Sequence, residues 1–349
     1  MSRLEERLDA IYAIGGGPGA NRIGYSPEED EAHRLVAGWM RDGGLEVEAD
    51  SDGNLIGRLT GTDPASPEVW SGSHLDSVPQ GGRYDGPLGV LGALAAIESL
   101  GRRRRTLAVV AFREEERGCV GSRARVRNGS LPGAYVELHH EQGPRLANAG
   151  CPLAVVTGIV GYVRGERVVE GAAGHAGTTP MDVRDDALVR AAAEILRIRD
   201  VAESIDGAVA TVGQVDVDPG GSNVIPGRVR FSIDARAPDA GRLERLIAEL
   251  GIDGAGAVAP TGFAGAPVDA LREAIAARGL PLVELHSGAG HDAGVLAKAG
   301  VPSAMLFVRA LNGGVSHSPD ELSSPEDVAL AVDVLADALA RLSAHVSDL

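Results

Sequence analysis

Lysine is almost absent from this 349-residue chain, in which Lys298 is the single lysine among 33 basic residues. A Schiff-base enzyme needs a nucleophilic lysine and a Walker A ATPase needs a lysine in its phosphate loop, so both classes are disfavoured. Basic residues are also outnumbered by 49 acidic ones, which gives a net charge of −16 at pH 7. This charge argues against binding to a nucleic-acid backbone or an anionic membrane. Small molecules remain as partners, whether cationic, neutral or held as anions in a local basic pocket.

Cysteines and long apolar runs are scarce as well. Cys119 and Cys151 share no motif, and two free thiols, as in a reducing compartment, are expected rather than a disulfide. No run approaches the ~20 apolar residues of a membrane span, and the first residues are charged where a signal peptide would be apolar. We therefore expect a soluble cytoplasmic protein. Its length suits two domains.

The most informative stretch is residues 72–87, which contains His74, Asp76 and Asp85. It lies between a strand-like apolar run and a helix predicted from Leu88 to Leu100. Ligands bind in an open α/β sheet at such strand-to-helix junctions. Imidazole and carboxylate groups are ligands of divalent metals, and Asp76 is spaced to orient the ring of His74.

Three further predicted strands are each followed by side chains of the same kinds. Leu107 to Phe112 precedes a glutamate triplet at 114–116, and Ala134 to Leu138 precedes the run that begins with His139. Ala304 to Val308 precedes a loop that contains His317. Each cluster alone would suit an ordinary solvated loop. Repeated at the ends of buried strands, they indicate one metal-binding cleft.

Five residues of these clusters form a candidate ligand set: His74, Asp85, Glu116, His139 and His317. Five ligands suit two divalent metals better than one, and Asp85 is expected to bridge them. Two metals about 3.5–4 Å apart activate water and polarise a carbonyl oxygen. Adjacent side chains of an extended segment point to opposite sides, so Glu115 is free to act as the general base. His175 is a candidate donor to the oxyanion, and the pattern predicts metal-assisted hydrolysis of a C–N bond.

A second domain is expected between residues 160 and 262. Residues 229–236 alternate between apolar and polar types, as in a strand with one wet face, and two helices are predicted nearby. Glycine and alanine are frequent at both ends of the segment, as in hinges. Two loops inside it expose His175 and Asn223, although ordinary turn chemistry is an alternative explanation for both.

One helix is predicted near the beginning of the chain. A capping box, Ser26-Pro27-Glu28-Glu29, marks its first residues, and apolar residues recur along one face. His33 lies in this helix, and we expect it on the surface.

Eight motifs, taken together, resemble the M20 metallohydrolases and, within them, the hydantoinase/carbamoylase group of N-carbamoyl-L-amino-acid hydrolases and allantoate amidohydrolases. They run along the whole chain in the order of that group: GSHLDSV (72–78), GGRYDGPLGV (81–90), ELHHEQGP (137–144), GHAGTTPM (174–181), SNVIPG (222–227), DARAP (234–238), SGAGHDA (287–293) and SHSPDE (316–321).

The resemblance implies an α/β, zinc-peptidase-like catalytic domain, residues 1–159 and 263–349, with an inserted α+β lid and dimerisation domain, residues 160–262. It implies two divalent ions per subunit, with zinc, manganese and cobalt all suited to these ligands. His74 and His317 would lie on different metals with Asp85 between them, and Glu115 would be the base beside Glu116.

The resemblance also implies residues that bind the substrate. His175, Asn223 and Arg236 match positions that hold the substrate carboxylate and stabilise the tetrahedral intermediate, in part from the other subunit of a homodimer. A guanidinium can grip a carboxylate with two hydrogen bonds. Gln142 and His291 match further cleft-lining positions. The expected partner is a small carboxylate-bearing substrate, with no role for nucleic acid or membrane.

The chain departs from the group's pattern in two places. The segment from residue 117 to 134 is short and lacks most of a helical insertion that walls the cleft in relatives. His140 stands where an apolar residue is usual. A shorter wall is expected to open the site to a different or larger substrate.

The motifs and the ligand set are compatible with three functions. The first is hydrolysis of an N-carbamoyl-L-amino acid or a ureido acid such as allantoate, favoured by the motifs GHAGTTPM and DARAP. The second is an M20 aminoacylase or dipeptidase that acts on N-acyl amino acids. The third is a catalytically silent, metal-stabilised binding protein, which the intact ligand set and Glu115 disfavour.

Overall fold

The computed structural model describes residues 2–344, which divide into two compact units. Residues 159–261 form the second unit, and the segments before and after them form the first. The chain thus leaves the first unit after Gly158 and returns to it at Gly262.

Fifteen strands occur among the described residues. In chain order they are β1 (Glu46–Ala49), β2 (Leu55–Leu59), β3 (Val69–His74), β4 (Leu107–Phe112), β5 (Ala134–His140), β6 (Leu153–Ile159), β7 (Gly161–Glu170), β8 (Gly174–His175), β9 (Val209–Thr211), β10 (Val215–Asp218), β11 (Val224–Ile225), β12 (Arg228–Ala237), β13 (Thr261–Gly262), β14 (Glu284–Ser287) and β15 (Ser303–Val308).

Ten α-helices accompany them in the same part of the chain. They are α1 (Arg3–Tyr12), α2 (Pro27–Asp42), α3 (Pro87–Leu100), α4 (Val120–Asn128), α5 (Arg145–Ala149), α6 (Ala187–Glu203), α7 (Ala240–Leu250), α8 (Ala266–Ala276), α9 (Asp292–Lys298) and α10 (Pro325–Ala344). No helix within residues 2–344 is both long and apolar enough to cross a membrane.

The first unit is built on a mixed sheet in the order β1-β2-β4-β3-β5-β15-β6-β13, with β14 paired to β6. Its centre is parallel, since β3 pairs in parallel with β4 and β5, and β15 with β5. These strands are buried on both faces, which explains the nearly continuous apolar sequences of β4 and β15. The carboxyl ends of β3, β4, β5 and β15 therefore meet at one edge, where the polar clusters follow.

The sequence located these strands well, but it ended one of them too early. The strand predicted to stop at Leu138 continues to His140, so His139 and His140 are part of β5 and are fully buried. The apolar run alone could not show that the strand goes on through two histidines.

The expectation for His33 was wrong. Helix α2 begins at Pro27 and is capped by Ser26, whose hydroxyl accepts a hydrogen bond from the backbone N–H of Glu29. His33 lies on its buried side with 7% exposure, and neither ring nitrogen has a hydrogen-bond partner. Its neighbour Glu29 is completely buried and pairs with Arg113. A polar core beneath this helix therefore replaces the expected exposed face.

The second unit packs α6 and α7 against a four-stranded antiparallel sheet. Strand β12 lies between β10 and β7 and also pairs with β9. Its burial alternates along the strand, with Val229, Phe231 and Ile233 in the core. A separate two-stranded ribbon joins β8 to β11 and pairs His175 with Val224.

Candidate metal centre and active site

Asp85 lies at the centre of the polar cluster, and its two carboxylate oxygens have different neighbours. Oδ1 is 3.6 Å from His74 Nε2 and 3.3 Å from His139 Nε2. Oδ2 is 3.2 Å from His317 Nε2, which in turn is 3.4 Å from Glu116 Oε2. Asp85 therefore belongs to two groups of ligand atoms, His74–Asp85–His139 and Asp85–Glu116–His317, each with its atoms within 4.8 Å of one another, while a third such group, Glu137–His139–His291, lacks Asp85. The five sequence-predicted ligands thus come together, and Asp85 is common to both groups.

The local backbone explains how His74 and Asp85 approach so closely. His74 is the last residue of β3, and Asp85 precedes α3 by two residues. Between Asp85 and the helix, Gly86 has a φ of 78°, and a Cβ at this position would lie 2.5 Å from His74 Cε1. Only glycine fits this backbone under the imidazole ring.

The ring nitrogens of two histidines are oriented by hydrogen bonds on their far sides. His74 Nδ1 lies 3.1 Å from Asp76 Oδ1, and His139 Nδ1 lies 2.9 Å from the carbonyl oxygen of His140. Both partners are acceptors, so Nδ1 carries the proton and Nε2 offers its lone pair towards Asp85. This tautomer is the one that a metal ligand requires.

The donor set fits divalent cations. Within the part of the chain that the structure describes, the buried atoms Glu116 Oε1 and His139 Nε2 have no hydrogen-bond partner. Buried polar groups are nearly always paired, and unpaired nitrogen and oxygen atoms that converge with further carboxylate and imidazole atoms are typical of a metal site.

Asp76 connects both metal-binding segments. Besides orienting His74, its Oδ1 accepts a hydrogen bond of 3.0 Å from the backbone N–H of Glu115, and its Oδ2 accepts one of 3.2 Å from that of Glu116. The turn after β4 is therefore fixed to the end of β3 through one carboxylate.

Glu115 lies beside the ligand cluster and belongs to neither group of ligand atoms. Its Oε2 is 3.8 Å from His74 Nε2, and its Oε1 accepts a hydrogen bond of 3.6 Å from Cys119 Sγ. Burial raises the pKa of Glu115 well above its usual range, and the Asp292, Glu116 and Asp85 charges raise it further, against the opposing effect of His74. A carboxyl group with a raised pKa can both accept and return a proton near neutral pH.

Glu321 is a member of the site that the sequence did not single out. Its Oε1 accepts hydrogen bonds from the backbone N–H groups of Tyr84 and Asp85, at 2.7 and 3.0 Å, and its Oε2 accepts one from Ser316 Oγ. It is 4% exposed. The carboxylate of Glu321 thus holds the backbone of Asp85 from 236 residues away, and only its position in the motif SHSPDE hinted at such a role.

Gln142 and His291 both lie against the ligand cluster. Gln142 Nε2 donates to Asp85 Oδ2 at 2.9 Å, while its Oε1 is buried without a partner. His291 is 3% exposed, its Nε2 is 2.7 Å from Ser287 Oγ, and its ring centroid is 4.5 Å from that of His139. His291 therefore packs against the ring of a candidate ligand.

The second unit carries the remaining predicted site residues. His175 and Asn223 are both exposed. They lie close together, since the backbone N–H of Ala176 donates a hydrogen bond to the carbonyl oxygen of Asn223. His175 Nδ1 accepts hydrogen bonds from the backbone N–H groups of Gly177 and Thr178, at 3.1 and 3.2 Å. This leaves the ring proton on Nε2, which makes His175 a donor at its outer nitrogen.

Arg236 also lies in the second unit, on β12. It forms a bidentate ion pair with Asp234, in which Nε is 2.7 Å from Oδ1. Arg164 donates to the same carboxylate.

The chain is similar to known proteins along nearly its whole length. Residues 70–341 match the family model of Peptidase family M20/M25/M40. The chain is 37% identical to an N-carbamoyl-L-amino acid amidohydrolase of Geobacillus stearothermophilus over 397 aligned positions, which cover 95% of this chain and 96% of the relative. It is 34% identical to an allantoate amidohydrolase of Bacillus subtilis, with 96% and 95% covered.

A solved structure has the same fold. It is a hydantoinase/carbamoylase family amidase from Burkholderia multivorans, with a TM-score of 0.89, 30% identity and 98% of each chain covered. The α/β fold class expected from the sequence is thereby confirmed. The alignment with the Geobacillus relative is longer than this chain, so that relative has segments that this chain lacks.

Proposed function

Because the chain belongs to peptidase family M20/M25/M40 and, within it, to the hydantoinase/carbamoylase group, we propose that it is a metal-dependent amidohydrolase. Its reaction is the hydrolysis of a C–N bond in an N-carbamoyl-L-amino acid or in a ureido acid such as allantoate. One relative is named for each of these activities, and the two match nearly the whole chain at 37% and 34% identity. The products from a carbamoyl substrate are an L-amino acid, ammonia and carbon dioxide.

One observation carries this proposal more than any other. The carboxylate of Asp85 is shared by two groups of ligand atoms, and the buried carboxyl group of Glu115 lies alongside them without belonging to either. A silent binding protein would need the ligands but not a buried carboxyl group that lies beside them and joins neither group of ligand atoms.

Two divalent ions are the proposed cofactors. His74 and His139 would hold one ion, Glu116 and His317 the other, and Asp85 both. When bound, such ions act as Lewis acids on the scissile carbonyl and lower the pKa of water. Zinc, manganese and cobalt all fit these ligands, since all three accept imidazole and carboxylate donors.

Glu115 is the proposed general base. It would take a proton from the attacking water and return it to the leaving nitrogen, because one carboxyl group with a raised pKa can serve both transfers. Asp76 orients the His74 ring and holds the backbone of Glu115, so its part is to keep base and ligand in register. Gln142 Nε2 already donates to Asp85, and its unpartnered Oε1 is left for a substrate N–H.

Residues of the second unit are proposed to bind the rest of the substrate. His175 presents an Nε2–H because two backbone N–H groups occupy its Nδ1, and such a donor stabilises an oxyanion. Asn223 and Arg236 are proposed to bind the substrate carboxylate, for which a planar guanidinium is well suited. His291 is proposed to line the cleft through its contact with His139.

Several finer features belong to the same proposal. Residues 160–262 would act as a lid and dimerisation domain, and the exposed apolar side chains Leu188, Val189 and Leu196 on one side of α6 support a homodimer interface. Light scattering of the purified protein tests this, and a monomer mass would contradict it.

Cys119 and Cys151 form no disulfide, which supports a cytoplasmic location.

The second candidate function is an M20 aminoacylase or dipeptidase. The experiment that separates the two uses protein stripped with a chelator and reloaded with Mn²⁺, Zn²⁺ or Co²⁺. Substrates are N-carbamoyl-L-amino acids, allantoate, N-acetyl amino acids and dipeptides, and both ammonia and free amine are measured. Metal-dependent ammonia release supports the proposal. Amine without ammonia moves the protein to the aminoacylase branch, and no product from any substrate contradicts both.

A further inference from the structure

The turn after β4 brings a thiol to the proposed base. The backbone N–H groups of Gly118 and Cys119 both donate to the carbonyl oxygen of Glu115, at 2.8 and 2.7 Å, and the N–H of Val120 donates to that of Glu114. This tight turn leads directly into α4 and leaves Cys119 at its N-terminal boundary. The side chain at position 119 is consequently folded back over Glu115.

Cys119 adopts a left-handed backbone conformation, with a φ of 56°. This region is unfavourable for residues with a Cβ, and such residues persist where the surroundings constrain them. Glycine at the preceding position, Gly118, also has a positive φ, of 110°. Glycine at position 119 would adopt this backbone conformation without strain. The chain has cysteine there, so the contacts of its side chain are the feature that a glycine could not supply.

The contact is with the carboxylate of Glu115. Cys119 Sγ is 3.6 Å from Oε1, while Oε2, the other oxygen, faces His74 Nε2 at 3.8 Å. Both residues are buried, with 7% and 8% exposure. Burial raises the pKa of the Cys119 thiol well above its ordinary value, so the thiol carries its proton and can donate.

We propose that Cys119 is a positioning residue, whose S–H donates to Glu115 Oε1 and thereby keeps Oε2 turned towards the ligand cluster. The inference rests on the proposed function, because it gives Cys119 a part in catalysis only if Glu115 is the base. If Cys119 only filled space, any small apolar side chain could replace it without loss of activity.

Infrared spectroscopy tests the contact without any need for activity. In C151S, Cys119 is the sole thiol, so its S–H stretching band can be assigned; C119A identifies the band of Cys151. We expect the band of Cys119 at the lowered frequency of a hydrogen-bonded thiol, and a shift towards the free-thiol frequency in C151S/E115A, where the acceptor is gone. The same S–H stretching frequency of Cys119 in C151S and in C151S/E115A would overturn the proposal.

Kinetics test the positioning role. We expect C119A to lower kcat about fivefold, on the scale of one ordinary hydrogen bond, with KM within about twofold. C119S retains a donor and should recover at least half of the lost kcat. Thermal unfolding of all variants separates a folding defect from this effect. Equal kcat in C119A and wild type, or no recovery in C119S at unchanged stability, would overturn the positioning role.

The two proposals fail in different ways. A wild-type protein that releases no ammonia from any carbamoyl substrate contradicts the proposed function and removes the catalytic role of the contact. The infrared comparison still decides whether the hydrogen bond exists.

Discussion

Glu114 and Glu115 are neighbours in sequence whose side chains have different surroundings. Glu115 contacts His74 and Cys119 beside the ligand cluster, whereas Glu114 Oε1 pairs with Arg117 at 3.0 Å. We expect E115Q to bind metal normally and to lose turnover about 10²–10⁴-fold, the usual contribution of a general base. E114Q is the matched control and should remain near the wild-type rate. Near wild-type turnover in E115Q would remove this residue from the role of base.

Glu321 provides a second prediction at this scale. Its carboxylate accepts two backbone N–H groups that orient Asp85, and residues that orient a metal ligand typically change affinity when they are lost. We expect E321A to weaken metal binding about 10–100-fold, as measured by competition with a chromophoric chelator. The exposed neighbour Asp320 supplies the control, D320A, with affinity unchanged. Equal affinity in both variants would show that the backbone alone fixes Asp85.

At the scale of elements, the junction between β3 and α3 depends on one glycine. Alanine at position 86 would place a Cβ 2.5 Å from His74 Cε1 on a backbone with positive φ. We expect G86A to lower the free energy of unfolding by about 1–3 kcal/mol, from backbone strain and displacement of the ring, and to impair metal binding. In G38A, within α2, nothing lies within 4 Å of the added methyl, so stability should stay equal or rise slightly. Similar behaviour of both variants would contradict this account.

Helix α2 carries a histidine that couples stability to pH. Burial lowers the pKa of His33 to about 3, and the Arg113 charge adds to this, against Asp76 and Asp30. The unfolded chain binds this proton near pH 6.5 and the folded protein does not, so stability is full above that pH and falls as the pH drops towards 3. We expect H33L to reduce the decline of the free energy of unfolding between pH 6 and 4 by up to about 1.4 kcal/mol per pH unit. Parallel pH profiles for H33L and wild type would exclude this residue as the cause.

What the sequence could predict follows from how local each signal is. Apolar strands are continuous segments, so β4 and the cluster after it were recognised, and parallel strands bring such clusters to one edge. Glu321 and Cys119 lacked comparable signals: the first acts on a backbone 236 residues away, and the second depends on the closure of a single turn. His33 was misplaced because helical periodicity shows an apolar face but cannot reveal a polar core around Glu29 and Arg113.

At the scale of the whole molecule, the inserted second unit has an apolar core of its own. The apolar core of residues 159–261 contains Val163, Phe231 and Leu246, and the ligand candidates all lie outside it. The proposed chemistry is thus divided between a unit that would bind the ions and a unit that carries His175, Asn223 and Arg236.

Two ions held around Asp85 are proposed to enable the hydrolysis. The most direct measurement determines metal content and ammonia release on the same samples, as stripped protein is titrated with Mn²⁺, Zn²⁺ or Co²⁺ in the presence of an N-carbamoyl-L-amino acid or allantoate. We predict no turnover in the stripped protein and a return of ammonia release that reaches its plateau at two ions per chain. Undiminished ammonia release from the stripped protein, or a plateau at one ion, would contradict the account.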